Sequence, residues 1–216
     1  MTEWVLHNYF RSSTSVRVRV GLNLKQLSYH YASYALLDKA HKTDDYLAVN
    51  PQGLVPALQL SPDKVLTQSL AILEYLDETC PTPPILPSDA LGRARVRSLA
   101  LMIACEIHPL NNLGVLNTLR SRFGADDTAV RDWFAHWVSN TFSALESRLA
   151  NEPDTGRFCH GDAPTLADIC LYAQVLNNQR FDVDMAPYPV IRAIHHECEA
   201  LEAFARAHPS AQPDSP

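Results

Sequence analysis

The sequence predicts a small α/β domain followed by an all-helical domain, and three observations carry that reading. Residues 1 to about 80 mix short apolar runs of strand length with helical patterns. The stretch P81-T-P-P-I-L-P87 then places four prolines in seven residues, and beyond it apolar residues recur almost only at helical spacing. Prolines lack the N–H a helix needs, so that stretch is an irregular connector and the domain boundary. The expected domains are 1–82 and 88–216.

Taken in order, W4-V-L-H-N-Y9 is an apolar and aromatic run of strand length, and the hydroxyl cluster Ser12-Ser13-Thr14-Ser15 behind it can cap a helix. In the run from Val16 to Lys25, V-R-V-R-V alternates like a strand. The whole run nevertheless has helical length and a hydroxyl cap, and it is read as a helix. Y29-H-Y-A-S-Y34 alternates as a strand. A57-L-Q-L60 and V65-L66 flank the turn-like S61-P-D-K64, which suggests a hairpin. Ser69 opens a helix over L70-A-I-L-E-Y-L76 that ends before Cys80-Pro81. Past the connector, helices are expected over roughly 89–122, 126–150, 165–180 and 188–208. In G161-D-A-P-T-L-A-D168, Thr165 stands three residues before Asp168, a capping box with Asp in place of the usual Glu. The tail S210-A-Q-P-D-S-P216 reads as disordered.

Composition narrows the function classes. The 216 residues are 46% apolar and 19% charged, ordinary globular values, and 18 basic against 24 acidic residues give a net charge of -6, which argues against nucleic acid as a partner. No stretch is expected to reach the 18 or so apolar residues that cross a bilayer. The opening M-T-E-W-V-L-H-N-Y-F-R-S-S has no basic segment leading into an apolar run and cleavage site. The chain therefore reads as a soluble, cytoplasmic protein with no membrane partner. Five widely spaced cysteines without any C-x-x-C indicate neither a disulfide framework nor a zinc ribbon. Cys105 and His108 form C-x-x-H without a second ligand pair, and His195-His196 with Cys198 is no stronger, so no metal is expected. There is no G-x-G-x-x-G and no G-x-x-x-x-G-K for a nucleotide.

Several motifs in order carry a resemblance. Y9-F-R-S-S-T-S-V-R-V-R-V20, N50-P-Q-G-L-V-P56-A-L, Q68-S-L-A-I72, I107-H-P-L-N-N112, G161-D-A-P-T-L-A-D168 and R180-F-D-V-D-M-A-P-Y-P189 together resemble the zeta-class glutathione transferases, the family of the maleylacetoacetate and maleylpyruvate isomerases. The resemblance runs over nearly the whole chain. It implies glutathione transferase architecture, with a thioredoxin-like first domain, a helical second domain and a homodimer. It also implies glutathione as cofactor and a maleyl dicarboxylate as small-molecule substrate, converted from the cis to the trans isomer.

The same resemblance assigns roles. A cis Val55-Pro56 bond would turn the backbone N–H and C=O of Val55 outward to pair with a peptide-like ligand. Gln52, Val55 and Pro56 are thus expected to hold glutathione, with Gln68 and Ser69 taking its γ-glutamyl carboxylate where free N–H groups and the helix dipole favour an anion. His41 matches a position that reaches toward glutathione in the maleylpyruvate branch, as do His108 and Asn112, which are four apart and read as one helix face. A thiol with a pKa near 8.5 needs a helix N-terminus and a hydroxyl donor to persist as thiolate at pH 7. Ser12 is the expected main donor, assisted by Ser13 and by Thr14, where the family usually has Cys. Arg11 and Arg180 are expected to clamp the two substrate carboxylates. Arg17 and Arg19 are read as structural or interfacial. Leu113-Gly114 departs from the arginines of the maleylpyruvate branch, so both maleyl substrates stay open. A conjugating or dehalogenating transferase acting on small electrophilic acids is the alternative.

Overall fold

The computed structural model describes residues 4–216. Residues 1–3, which open both the first expected domain and the segment read for a leader, lie outside the described residues. The chain packs as two compact units. One comprises the chain up to Pro84 together with Ala200–Pro216, and the other is Ile85–Glu199.

The first unit runs β1 (Trp4–Asn8), α1 (Ser13–Leu24), β2 (Tyr29–Ser33), a 3-10 turn (Ala40–Lys42), α2 (Asp44–Val49), β3 (Ala57–Ser61), β4 (Lys64–Thr67) and α3 (Ser69–Thr79). Its sheet has the order β2-β1-β3-β4, with β1 and β2 parallel and the β3–β4 hairpin antiparallel to them. This is the α/β arrangement the sequence predicted. Leu6 and Leu58 are cross-strand partners and point to one face, where they meet Val18 and Leu22 of α1 and Ile72 and Leu76 of α3 in a fully buried cluster. His7 points to the opposite face, where its ring lies 5.7 Å from that of Tyr34 and 6.1 Å from that of Tyr46 on α2.

The alternating V-R-V-R-V segment is helical. Val16, Arg17, Val18, Arg19 and Val20 are all buried, so α1 has no solvated face over that stretch. The strand-like alternation therefore reflects two different buried environments around one helix. Helices α1 and α3 run in the same direction and pack closely. A Cβ at Gly21 would fall 2.1 Å from Leu73 Cδ2, so any larger residue at this crossing would require the Leu73 side chain to shift. One helical turn further, Lys25 Nζ meets Asp77 Oδ1 at 2.7 Å, both side chains being buried, and it also donates to the carbonyl of Pro83.

The second unit holds α4 (Ala90–Glu106), α5 (His108–Asn111), α6 (Leu113–Phe123), α7 (Asp127–Asn151), α8 (Leu166–Arg180) and α9 (Pro189–Glu199). It is all helical, as expected. The run Ala90–Phe123 is long and apolar enough to cross a bilayer by length and composition, contrary to the sequence reading. It is nevertheless broken at Ile107 and Asn112, and α4 packs on α7 and α8. Helix α8 is buried from Leu166 to Val175, and the expected capping box sits at its start. The carboxylate of Asp168 accepts from the backbone N–H of Cys159 and of Thr165 and from the Thr165 hydroxyl, each at 2.7 Å, while burial holds its pKa above the usual carboxylate range.

Two expectations about the C-terminus are corrected. After α9 the chain continues through α10 (Glu202–Ala205), and residues 200–216 belong to the first unit, not to the helical domain expected over 88–216. The tail is also not a disordered appendage. Asp214 accepts from the backbone N–H of Phe10 and from the hydroxyls of Tyr31 and Ser33. Its polar composition looked solvated, but a single carboxylate with three donors anchors it.

The Lys25–Asp77 pair generates a stability test. Removing one member of a buried ion pair leaves the other charge uncompensated, so Lys25→Met is expected to lower unfolding free energy by about 3–5 kcal/mol in urea titration. Adding Asp77→Leu is expected to recover most of that loss. Equal stabilities of the single and double variants would mean the pair does not set the α1–α3 contact.

Candidate functional site

Ser12 is the N-cap of α1, with extended backbone, and its Oγ accepts from the N–H of Ser15 at 3.3 Å. The same Oγ lies 2.9 Å from Thr14 Oγ1, and Thr14 Oγ1 donates to the carbonyl of Val55 at 3.0 Å. A hydroxyl has one proton. Thr14 spends its proton on Val55, which leaves Ser12 as the donor in the Ser12–Thr14 contact. The result is a directed chain, Ser12 to Thr14 to the Val55 carbonyl. Ser13, expected to assist, is 5% exposed. The Val55 C=O, expected to pair with the ligand, already accepts from Thr14, which takes one of its two acceptor positions.

The Val55-Pro56 peptide is cis, as the resemblance implied. The loop before it is braced from two sides. Asn50 Nδ2 and the Tyr46 hydroxyl both donate to the carbonyl of Leu54, at 2.7 and 2.6 Å, and Asn50 Oδ1 accepts from the N–H of Gln52 at 3.1 Å. Gly53, at φ +57, packs on the 3-10 turn so closely that a Cβ would lie 2.9 Å from the His41 carbonyl, and Lys42 Nζ donates to the Gly53 carbonyl at 2.8 Å. His41 is thereby set beside the loop. Its Nδ1 is buried without a hydrogen-bond partner, and burial, then the charge of Lys42, lowers its pKa.

Gln68 holds φ +68, a conformation that costs a non-glycine residue energy and persists only where its surroundings fix it. Its side chain does not cap α3 but donates to Gln52 Oε1 at 3.1 Å. Ser69 follows at the first position of α3, 5% exposed, with its Oγ 3.4 Å from Arg17 Nη1. Arg11 is half-buried, with its guanidinium 5.3 Å from the Phe10 ring and Nη2 3.4 Å from the Tyr9 hydroxyl. Its Nε is buried and has no hydrogen-bond partner. The first unit thus gathers Arg11, Ser12, Thr14, His41, Gln52, Val55, Pro56, Gln68 and Ser69 around the β1–α1 turn, the loop before Pro56 and the start of α3.

His108, Asn112 and Arg180, also expected at the site, lie in the second unit. His108 begins α5, but Asn112 does not share its helix face. Pro109 and the extended backbone of Asn112 end that short helix, and Asn112 caps α6 instead, accepting from the N–H of Val115 at 3.0 Å and donating to the Pro109 carbonyl at 2.7 Å. Arg180 closes α8, exposed, with its guanidinium 4.8 Å from the Phe181 ring, which stacks on Phe134 at 4.0 Å. Among the described residues no three His, Cys, Asp or Glu side chains gather as a metal-binding group.

Sequence reasoning missed two contributors. Arg17, read as structural or interfacial, touches Ser69, and Asp214 accepts from the N–H of Phe10 beside Arg11. Neither has a local signal, because each contact joins residues far apart in sequence.

Comparison with known proteins adds the following. A family model described as the glutathione S-transferase N-terminal domain matches residues 11–79. A maleylpyruvate isomerase of Ralstonia sp is 50% identical over 210 residues, 97% of this chain and 99% of its own. A holo structure of maleylpyruvate isomerase, a bacterial zeta-class glutathione S-transferase, superposes with a TM-score of 0.96 at 50% identity over 98% of this chain and 99% of that one. A maleylacetoacetate isomerase of Anaeromyxobacter dehalogenans, solved with dicarboxyethyl glutathione and citrate in its active site, reaches 0.88 at 40% identity over 99% and 94%.

The buried His7 generates a pH test. Its Nδ1 lies 2.9 Å from the Tyr34 hydroxyl and Nε2 3.1 Å from Gln59 Oε1, and burial lowers its pKa below the ordinary 6.5. Below pH 6.5 the unfolded chain therefore binds more protons at this position than the folded one. The stability contributed by neutral His7 is complete above 6.5 and lost as pH falls toward the folded value. Urea unfolding at several pH values between 5 and 7 is expected to show a shallower loss of stability in His7→Gln than in the wild type. An unchanged slope would remove His7 from the linkage.

Proposed function

The chain belongs to the zeta class of the glutathione S-transferase family, and from that premise we propose that it is a glutathione-dependent isomerase of maleylpyruvate or maleylacetoacetate in the catabolism of aromatic compounds. The observation that carries the reading is the hydroxyl chain from the N-cap of α1 to the backbone at the cis-proline, a donor array at a helix N-terminus. It is supported by the dicarboxyethyl glutathione in the Anaeromyxobacter structure, chemically a thioether of glutathione with a four-carbon dicarboxylate.

The residues present fit glutathione. The buried Nδ1 of His41 and Nε of Arg11 lack hydrogen-bond partners, and the α3 start offers N–H groups that the Gln68 side chain leaves uncapped. When bound, glutathione supplies a thiolate nucleophile whose reversible addition turns the maleyl double bond into a single bond free to rotate. Gln52, Val55, Pro56, Gln68 and Ser69 bind and orient the tripeptide, Gln68 and Ser69 at its γ-glutamyl carboxylate. Ser12 rotates its hydroxyl proton from Thr14 toward the sulfur and holds the thiolate form, with the positive end of α1 adding to the effect. Thr14 keeps its own proton on Val55, so it positions Ser12 rather than donating. Arg11 and Arg180 bind the substrate carboxylates and stabilise the charge that spreads onto them. His108 and Asn112 assist at the cofactor, Asn112 with the capacity its capping bonds leave free. The resemblance supports a homodimer, which sedimentation of the purified protein tests directly.

The deciding experiment follows the absorbance of enzymatically generated maleylpyruvate and, separately, maleylacetoacetate, with and without glutathione, while free thiol is titrated. Conversion to the fumaryl isomer at constant thiol is expected. Loss of thiol matching loss of substrate would make the protein a conjugating transferase instead. Ser12→Ala is expected to lower turnover about 100-fold with glutathione still bound, a loss of the size seen when one preorganised donor is removed. Arg180→Ala is expected to act mainly on the substrate KM. Small and equal effects of both would overturn these roles.

A further inference from the structure

We propose that Arg17, buried behind the site, is the counter-ion of the carboxylate that Ser69 receives, and that it sets affinity for glutathione through that one group. The proposal rests on the glutathione reading above and goes beyond it, since Arg17 reaches the ligand only from within the core.

The side chain is 1% exposed on α1, and its Nε and Nη2 are buried without any hydrogen-bond partner. The remaining terminal nitrogen, Nη1, lies 3.4 Å from Ser69 Oγ. A guanidinium stays charged at any physiological pH, and burying it without an anion is costly. Its neighbour Arg19, equally buried, spends its N–H groups on Asn8 Oδ1 and the carbonyls of Tyr9, Phe10 and Ala207. Arg17 is therefore the exception within one helix.

The α1–α3 packing explains where its counter-ion belongs. Contacts pair Arg17 with Ser69, Gly21 with Leu73 and Lys25 with Asp77, each step being four residues on both helices. At the C-terminal end of this ladder a buried cation of α1 faces a carboxylate of α3 at 2.7 Å. At the N-terminal end an equally buried cation faces Ser69, the first residue of α3, where helix N–H groups also favour an anion. The rung that Asp77 completes from within the chain is completed at Ser69 by a carboxylate from outside it. Arg17 and the α3 dipole then act on the same charge from two sides.

The test compares two ligands on three proteins. Wild type, Arg17→Met and Arg17→Lys are titrated by calorimetry with glutathione and with γ-aminobutyryl-cysteinyl-glycine, which lacks only the γ-glutamyl carboxylate. Wild type is expected to prefer glutathione, and Arg17→Met to weaken glutathione about 10- to 100-fold, the range of a charge-assisted bond, while changing the analogue less than about threefold. Arg17→Lys is expected to retain part of the preference. Equal weakening of both ligands would mark a merely structural role and overturn the proposal, as would a preference unchanged in Arg17→Met. Absence of any preference in the wild type would overturn the carboxylate placement and the proposal together, which separates failure of the premise from failure of Arg17. If Arg17→Met does not fold, the preference measured in Arg17→Lys decides, and one equal to wild type at both low and high salt counts against the proposal.

Discussion

The first unit depends on the fork of Arg19. This side chain is fully buried on α1, and its five N–H groups are used on four neutral oxygens: Asn8 Oδ1 and the carbonyls of Tyr9, Phe10 and Ala207. The first three belong to the end of β1 and the turn leading to Arg11 and Ser12. The fourth belongs to the C-terminal segment. One guanidinium thus fixes the turn that carries the proposed donor and ties down the returning chain. A lysine, with three donors on a point charge, could not span the same set.

From that turn the site is built outward by side-chain hydrogen bonds, most of them to the backbone, rather than by apolar packing. Asp214 accepts the Phe10 N–H from the C-terminal side, Thr14 ties the start of α1 to Val55, and Asn50 and Tyr46 hold the Leu54 carbonyl just before it. Gln68 then joins the start of α3 to the same loop through Gln52. Three segments distant in sequence are fixed to one another through hydrogen bonds. Such bonds are directional, and each buried polar group left unpaired would be costly. Among the described residues of the first unit, the buried side-chain polar atoms without a hydrogen-bond partner are on Arg11, Arg17 and His41, all of which adjoin these three segments.

The sequence made the element order legible because strand alternation, hydroxyl caps, the Pro62-Asp63 turn and the proline connector are local signals. It was less informative where burial overrides pattern. The V-R-V-R-V stretch looks two-faced, and nothing local tells a buried arginine from a solvated one, since the acceptors of Arg19 lie at 8–10 and 207. Asn112 is a different kind of miss. Pro109 three residues earlier and the preference of Asn for helix caps both mark a break, yet the i, i+4 spacing from His108 was read as continuous helix. The membership of residues 200–216 was not readable at all, because it rests on contacts with Phe10, Arg19, Tyr31 and Ser33 in the first strands and helix.

The residue at position 14 shows how a small departure alters a site without dismantling it. The family resemblance implies cysteine there, whose S–H is a weak donor and whose sulfur is a weak acceptor. Threonine supplies a strong version of both functions, and the two distances, 2.9 Å to Ser12 and 3.0 Å to the Val55 carbonyl, show both in use. The direction of the chain follows from the carbonyl at its end, which can only accept. Ser12 is thereby held with its proton on the Thr14 side, ready to turn to a better acceptor. A thiolate is such an acceptor and a neutral thiol is not. In the function proposed above, threonine at 14 thus couples the Ser12 proton to the ionisation of the glutathione sulfur, through the carbonyl of Val55.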